Sequence, residues 1–569
     1  MVKTQAEHAI LVNHIGYTIS GIKKVIYQTT TQYFPETFSI INLQNEKVFE
    51  GVFGKGGPID EWHTGSACVG IFSEFEEEGE FHIQVTVSGN IIKSVDFRIE
   101  KNLLQNSCIP LLLEGFISQH PENIYENKDS SIGFTGDRKD TMDVHGGWYD
   151  ASGDTSKYLS HLSYTNFMNP QQTPFVVWSL LESLEKNRSI EQEKISHFEK
   201  EAAWGADFLV RMLDPKGYFY MTVFDGWSKD PGKREISAYK RKDGFRTEDY
   251  QAGFRQGGGM AIASLAKASR HNCNGEFSKS DYLDKAVKGY QHLIVKNHKY
   301  LDDGLENIID DYCALVAAVE LFHASENITY LDHARARSQK LINRISVDEN
   351  YKGWWSADDG GTRSFYHASD AGLPLVSLCK YLEIESDEDL KNLVVQAIQK
   401  SVDFEIEITN ETINPFGYPR QYVKSLIGTK VESSFFFPHD NESGYWWQGE
   451  NARLGSMATA MLKALPYLRD DQKVSAIHFA ANQVNWILGL NPFNVCMLDG
   501  LGYNNPEYLE PENVNYRGGV CNGITSGFEN ESDIAFMPLP YNNDPAQQWR
   551  WSEQWIPHAA WFMLALSSL

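Results

Sequence analysis

Two aspartates four residues apart on a glycine-punctuated stretch are the side chains best placed to do chemistry. They are Asp150 and Asp154 in Gly146-Gly147-Trp148-Tyr149-Asp150-Ala151-Ser152-Gly153-Asp154. Glycines let a backbone take positive φ and come close to a ligand. Two carboxylates on such a loop can stay ionised and hold one water between them. Trp148 and Tyr149 precede them and could offer flat rings to a substrate. The same residues also fit a polar turn whose Asp caps the following helix.

Three further segments combine acids with aromatics. They run from Trp354 to Asp370, from Tyr445 to Arg453 and from Trp549 to Trp555. Sugar rings present C–H faces that pack on indoles, while their hydroxyls need acceptors such as carboxylates. Trp355, His367, Trp447 and Trp551 are therefore candidate substrate contacts. The competing use of the same tryptophans is to plug the ends of a helical barrel. His145 and His439 also lie in these loops.

Hydrolysis of a glycosidic bond needs two carboxyls, one protonated and one not. Glu553 has the apolar setting that keeps an acid protonated, with Trp551 and Trp555 on either side. Read from local context, Glu553 is the acid, Asp154 the base, and Asp150 a second water ligand. Other chemistries lack their motifs. Gln256-Gly257-Gly258-Gly259 has no Lys-Ser/Thr after it, so close helix packing is expected there instead of a phosphate loop. There is no HExxH, EF-hand or CxxC spacing, so no cofactor or metal ligand set is assigned.

The elements that must position these residues fall into two blocks. Up to about residue 105 the chain reads as β. Phe81, Ile83, Val85 and Val87 alternate with polar residues, Ser88-Gly89-Asn90 breaks the run, and Val95, Phe97 and Ile99 alternate again. Val25 and Tyr27, then Ser39 to Leu43, mark further short strands, so a small sandwich is expected over 1–105. Over 106–569 the period is helical. Val177, Leu181 and Leu184 share a face behind Thr173-Pro174, as do Ile308, Tyr312, Leu315, Val319 and Phe322, and Leu454, Met457, Met461 and Leu465. About a dozen such helices follow one another, separated by long loops of the kind that carry function.

Composition narrows the partners. The 569 residues carry 51 basic and 76 acidic side chains, a net charge of −25, which argues against nucleic acid and anionic membranes. No run approaches the ~18 apolar residues of a membrane span. The opening residues lack a secretory pattern, and seven scattered cysteines suit free thiols, so a cytoplasmic location is expected.

Taken together these segments resemble glycoside hydrolase family 9, in the subgroup with an N-terminal immunoglobulin-like domain. Ile10 to Tyr17 looks like that domain's opening strand, and Asp143 to Asp150 like the family's catalytic-base motif. Glu306 to Tyr312, Gln448 to Arg453 and Ser552-Glu553 follow in the family's order. The resemblance implies an (α/α)6 barrel with a cleft at one end, inversion at the anomeric carbon, Asp154 as base with Asp150 as partner, and Glu553 as acid. Relatives often carry calcium. Three features depart from the pattern. Ser152 is inserted into the usual Asp-Ala-Gly-Asp, leaving open which aspartate is the base. A His-x-Arg sugar motif is missing after Gly489 to Pro492, where Tyr508 to Glu512 and Asn515 to Arg517 stand instead. No export signal is visible. These departures resemble the family's intracellular exo-β-D-glucosaminidase branch, acting on short chitosan-type oligosaccharides. A cellodextrin-hydrolysing β-1,4-glucanase is the alternative. A glucosamine ammonium needs a carboxylate partner, and Asp137 and Asp140 are the candidates.

Overall fold

The structure is a computed structural model that describes residues 7–31, 33–186, 192–241, 243–444, 447–508 and 514–569. Tyr445, Trp446 and residues 509–513, where a His-x-Arg motif was expected, lie outside the described residues.

The N-terminal block is a two-sheet sandwich. Its strands are β1 (His8–Leu11), β2 (Gly16–Thr18), β3 (Lys24–Thr29), β4 (Thr37–Asn42), β5 (Lys47–Val52), β6 (Gly57–Pro58), β7 (Ser66–Ile71), β8 (Gly79–Val87), β9 (Asn90–Lys93) and β10 (Phe97–Glu100). One sheet has the order β1-β3-β7-β6, the other β2-β10-β8-β4-β5 with β9 on β8. The alternation along β8 turns Phe81, Ile83, Val85 and Val87 into the core. The expected hairpin between 81–87 and 95–99 forms, with its returning strand broken into two pieces. Ser88 and Gly89 both have positive φ (51° and 83°), which makes a tight two-residue turn. That turn sends the chain into β9, pairing Val87 with Asn90, and after a break at 94–96 Phe97 pairs with Phe81 farther along the same edge of β8, opposite β4.

Helices follow from Leu103. They are α1 (Leu103–Ser118), α2 (Asn123–Asp129), α3 (Thr173–Lys186), α4 (Gln192–Arg211), α5 (Gly259–Ala268), α6 (Lys279–Lys296), α7 (Ile308–Ser325), α8 (Ile328–Ile342), α9 (Leu373–Leu382), α10 (Glu388–Thr409), α11 (Asn451–Ala464), α12 (Asp470–Ile487), α13 (Pro545–Ser552) and α14 (Ile556–Ser568). An inner ring runs α3-α5-α7-α9-α11-α14, and α14 packs back on α3 to close it. The helices α1, α4, α6, α8, α10 and α12 lie outside that ring, making an (α/α)6 barrel. Inner helices such as α7, α11 and α14 are buried nearly all round, as a core helix must be. The glycine run serves close packing: a Cβ on Gly259 would lie 2.7 Å from the Cβ of Cys313 on α7. None of the described helices is long and apolar enough to cross a membrane.

The far end of the inner ring is closed by charge. Glu182 of α3, Lys267 of α5, Glu320 of α7, Lys380 of α9 and Lys463 of α11 all meet there, buried. Lys267 lies 2.7 Å from Glu182 and 3.4 Å from Glu320, Lys380 lies 3.3 Å from Glu182, and Lys463 pairs with Glu182 as well. Burial works against the Glu182 carboxylate, but three surrounding lysines hold its pKa well below the ordinary value. Breaking a buried ion cluster from one side strands the remaining charges. Glu182→Gln should therefore cost about 3–5 kcal/mol and lower the urea midpoint clearly. Glu185→Gln removes a partly exposed member of the same cluster and should cost about 1 kcal/mol or less. Equal midpoints for the two variants would sink this account.

Candidate active site

The loop 143–157 is held from beneath by two buried cations that share Asp129. Lys157 Nζ donates to the carbonyls of Val144 and Gly146 at 2.8 and 2.7 Å and to Asp129 at 2.7 Å. Arg234 grips the same carboxylate with two hydrogen bonds of 2.6 and 3.0 Å and donates to the Thr155 carbonyl. The loop also closes on itself. Asp154 N donates to Ala151 O at 3.1 Å and Asp150 N to Ser156 O at 3.2 Å. Gly153, with φ of 83°, supplies the positive-φ turn between them.

Glu553 reaches this loop through backbone pairing. Residues 553–555 run extended between α13 and α14, flanked by 150–152 on one side and 520–522 on the other. Ser152 N donates to Gln554 O at 2.8 Å, Ile556 N to Asp150 O at 2.9 Å, and Asn522 N to Glu553 O at 2.7 Å. The inserted Ser152 is part of the clamp. Its Oγ accepts from Gln554 N at 2.9 Å and donates to Asn515 Oδ1 at 3.1 Å. The insertion thus fastens the loop to the segment carrying Glu553.

Asp150, Asp154 and Glu553 line one cleft of about 460 Å3. The two aspartates differ in how they are used. Asp150 is 3% exposed. It accepts from Trp555 Nε1 at 3.0 Å, faces His161 Nδ1 at 2.9 Å, and accepts from Gln172 Nε2. Asp154 turns Oδ1 to its own loop, accepting from Thr155 N at 2.7 Å and Ser156 N at 2.9 Å. Its Oδ2 has a longer bond, from Tyr158 OH at 3.3 Å. Burial and then the neighbouring Asp150 charge push Asp154 up to about 6, against the opposing pull of the Ser156 N–H. The loop is therefore less open to solvent than its glycines suggest, and Asp154 gives up its charge more readily than an exposed aspartate.

The eight candidate substrate contacts are not among the residues lining this cleft. Trp148 is fully buried and donates Nε1 to Glu201 at 2.7 Å. Tyr149 donates its hydroxyl to Glu122 and packs edge-on to Tyr125. Trp355 donates to Ser401, and Trp551 donates to Thr525 at 2.9 Å. Trp447 stacks on His439 with ring centres 3.9 Å apart, and the Arg550 guanidinium lies 4.2 Å from its ring. His367 is buried, accepts the N–H groups of Ser369 and Asp370, and is pushed down to about 3 by burial. Asp137 and Asp140 are exposed, and Asp140 forks onto Arg138 at 2.7 and 2.8 Å. Asp137 apart, a nearer partner within the protein takes up the group that a sugar would have used. His145 likewise pairs with Asp143 at 2.6 Å, outside the cleft.

The rings that do line the cleft are His161, Tyr164, Trp227, Tyr239, Tyr508, Trp549 and Trp555, with Lys229 beside them. Trp227 is 41% exposed, with φ of 56° just after Gly226. Its sequence signal was available: Asp225-Gly226-Trp227 repeats the acid-glycine-aromatic composition of the opening loop. Among the described residues no group of three or more His, Cys, Asp or Glu side chains gathers as a metal site.

Comparison with known proteins agrees with this architecture. The family model for glycosyl hydrolase family 9 matches residues 115–517, and that of the cellulase N-terminal ig-like domain matches residues 5–90. The first match stops before Glu553, which the fold returns to the same cleft. No curated protein matches the chain. A solved structure from Bacteroides ovatus, described as GH9, is 16% identical, covers 98% of both chains and superposes with a TM-score of 0.66. A metagenome-derived family 9 endoglucanase is also 16% identical, covers 99% of both chains, and has a TM-score of 0.66. Endoglucanase CelQ from Clostridium thermocellum, complexed with cellotetraose, is 17% identical over 81% of this chain and 70% of its own, with a TM-score of 0.51. The chain belongs to glycosyl hydrolase family 9: it is a glycoside hydrolase with an N-terminal immunoglobulin-like sandwich docked on an (α/α)6 barrel.

Proposed function

We propose that the protein hydrolyses short β-1,4-linked oligosaccharides with inversion, releasing glucosamine from the non-reducing end. The observation that carries this is the shared clamp. It sets Glu553 and the Asp150–Asp154 loop on adjacent extended segments lining one cleft. Glu553 gives its proton to the glycosidic oxygen. Asp154 takes a proton from a water whose oxygen bonds to C1 as the C1–O electron pair leaves with the departing sugar. Asp154 is the base because Asp150 is already committed to Trp555, His161 and Gln172. Asp150 holds the loop and supplies the like charge beside the base.

The amino sugar is supported by cleft charge. Three carboxylates and one lysine line it, so a cationic substrate is favoured electrostatically. Recognition of the ammonium then falls to the cleft itself instead of the surface residues Asp137 and Asp140. A second reading, a β-1,4-glucanase acting on cellodextrins, is favoured by the endoglucanases of similar fold, one of them complexed with cellotetraose. A reducing, intracellular setting is part of the proposal. The seven cysteines are buried free thiols, as expected where disulfides do not persist.

Glucosamine-terminated and glucose-terminated β-1,4 disaccharides followed by proton NMR separate the readings. The expected result is preferential release of glucosamine, appearing first as the α-anomer. Turnover of the glucose disaccharide alone would establish the second reading, and a β-anomer appearing first would exclude inversion. The pH profile gives an independent check. The base must be ionised, and its pKa is raised to about 6. The acidic limb of kcat/KM should therefore bend near pH 6, with activity falling below it. Asp154→Asn should abolish that limb along with most of the activity. A limb near pH 4 would mean that Asp154 is not the titrating base.

A further inference from the structure

Asn522 is wholly buried behind Glu553 and is not among the cleft-lining residues. Its side-chain nitrogen donates to Trp549 O at 2.7 Å and to Glu553 Oε2 at 3.3 Å. Its Oδ1 faces His558 Nε2 at 2.8 Å. These contacts fix the amide's orientation. A backbone carbonyl can only accept, so the nitrogen must face Trp549. Oδ1 must then accept from His558, which therefore carries its proton on Nε2. His558 sits in the first turn of α14, where the helix end disfavours a cation. Burial pushes it down to about 3, and its Nδ1 is buried without a partner. The ring is thus a permanently neutral donor.

We propose that Asn522, oriented by His558, is the positioning residue that decides which oxygen of Glu553 delivers the proton. This rests on Glu553 being the acid. An oxygen that accepts from an amide is the carbonyl-type oxygen of a protonated carboxyl, so the transferable proton rides on Oε1. That O–H bond breaks as the new O–H bond forms on the leaving sugar, and the Glu553 charge is left on a carboxylate that Asn522 already supports. His558 holds the donor in place without titrating, so the arrangement does not vary over the working pH range.

The test compares a glucosamine β-1,4 disaccharide with a dinitrophenyl glycoside, whose leaving group needs no proton. Asn522→Ala should lower kcat on the disaccharide about 10–100-fold, as expected for losing a hydrogen bond to a charged group. Hydrolysis of the dinitrophenyl substrate should change by about threefold or less. Losing a donor to the charged form raises the acid's pKa, so the alkaline limb of kcat/KM should move to higher pH. The isosteric Asn522→Asp should move it the same way, and it serves if the alanine variant does not fold. His558→Leu should reproduce the effect, and His558→Gln, which keeps an N–H donor, should largely restore activity. Equal losses on both substrates with the alkaline limb unmoved would overturn the proposal. Glu553→Gln is the control for the reading beneath it. If that variant shows no leaving-group dependence, Glu553 is not the acid; if it does and Asn522→Ala does not, only the role of Asn522 fails.

Discussion

The site depends on a ladder of short backbone pairings that crosses the cleft end of the barrel. His14 N of the sandwich donates to Leu488 O at 2.9 Å. Leu488 pairs with Cys496, Leu498 with Val520, Cys521 with Gln554, and Trp555 with Ala151. Each rung is one or two residues, yet together they connect the sandwich, the segment after α12, the segment carrying Glu553 and the Asp150–Asp154 loop. Such short pairings have little stability alone. They persist because the helices they join are already fixed: α14 closes the inner ring against α3, which sets 553–556 beside 150–152. Ser152 fits this scheme as an extra rung. Its backbone and hydroxyl both bind Gln554, which ties the loop to the segment carrying Glu553.

How much of this was readable in the chain differs by level. The two blocks and the twelve-helix barrel follow from periods of 2 and 3.6 and from the resemblance, because burial imposes those periods directly. Asp150, Asp154 and Glu553 stand out in sequence by their setting, but that they line one cleft comes only from ring closure. The aromatic candidates were not legible. Trp148, Trp355, Trp447 and Trp551 sit beside acids in sequence, but each ring packs inward and the described hydrogen bonds tie three indole N–H groups to Glu201, Ser401 and Thr525. A large side chain in a loop near a carboxylate satisfies the same local pattern whether it plugs the barrel or faces substrate. What distinguishes Trp227 is exposure, and exposure is set by neighbours far away in sequence. Asp137 and Asp140 show the same limit for charge, since their solvated position depends on where the base loop leaves the barrel.

The two ends of the inner ring carry opposite electrostatic problems, and helix direction eases both. Gln172 and Ile556, at the N-terminal ends of α3 and α14, meet at Asp150, while the later turns of α3, α5, α7, α9 and α11 meet at the ion cluster. The inner helices therefore point their positive ends at the cleft and their negative ends at the cluster. Carboxylates gather at the first end, where Asp150, Asp154 and Glu553 would otherwise repel one another with little relief. Lysines gather at the second, with Lys267, Lys380 and Lys463 each in the last turn of its helix. The helix dipoles lower the cost of placing these carboxylates in a shielded cleft, but incompletely, since Asp154 is still pushed up to about 6. That residual strain is useful chemically. In the proposed role of base, a carboxylate pushed up to about 6 is a stronger proton acceptor than an ordinary aspartate and remains mostly ionised at pH 7. The ion cluster that seals the opposite end and the raised pKa of Asp154 thus share one setting, six helices running the same way around a single axis.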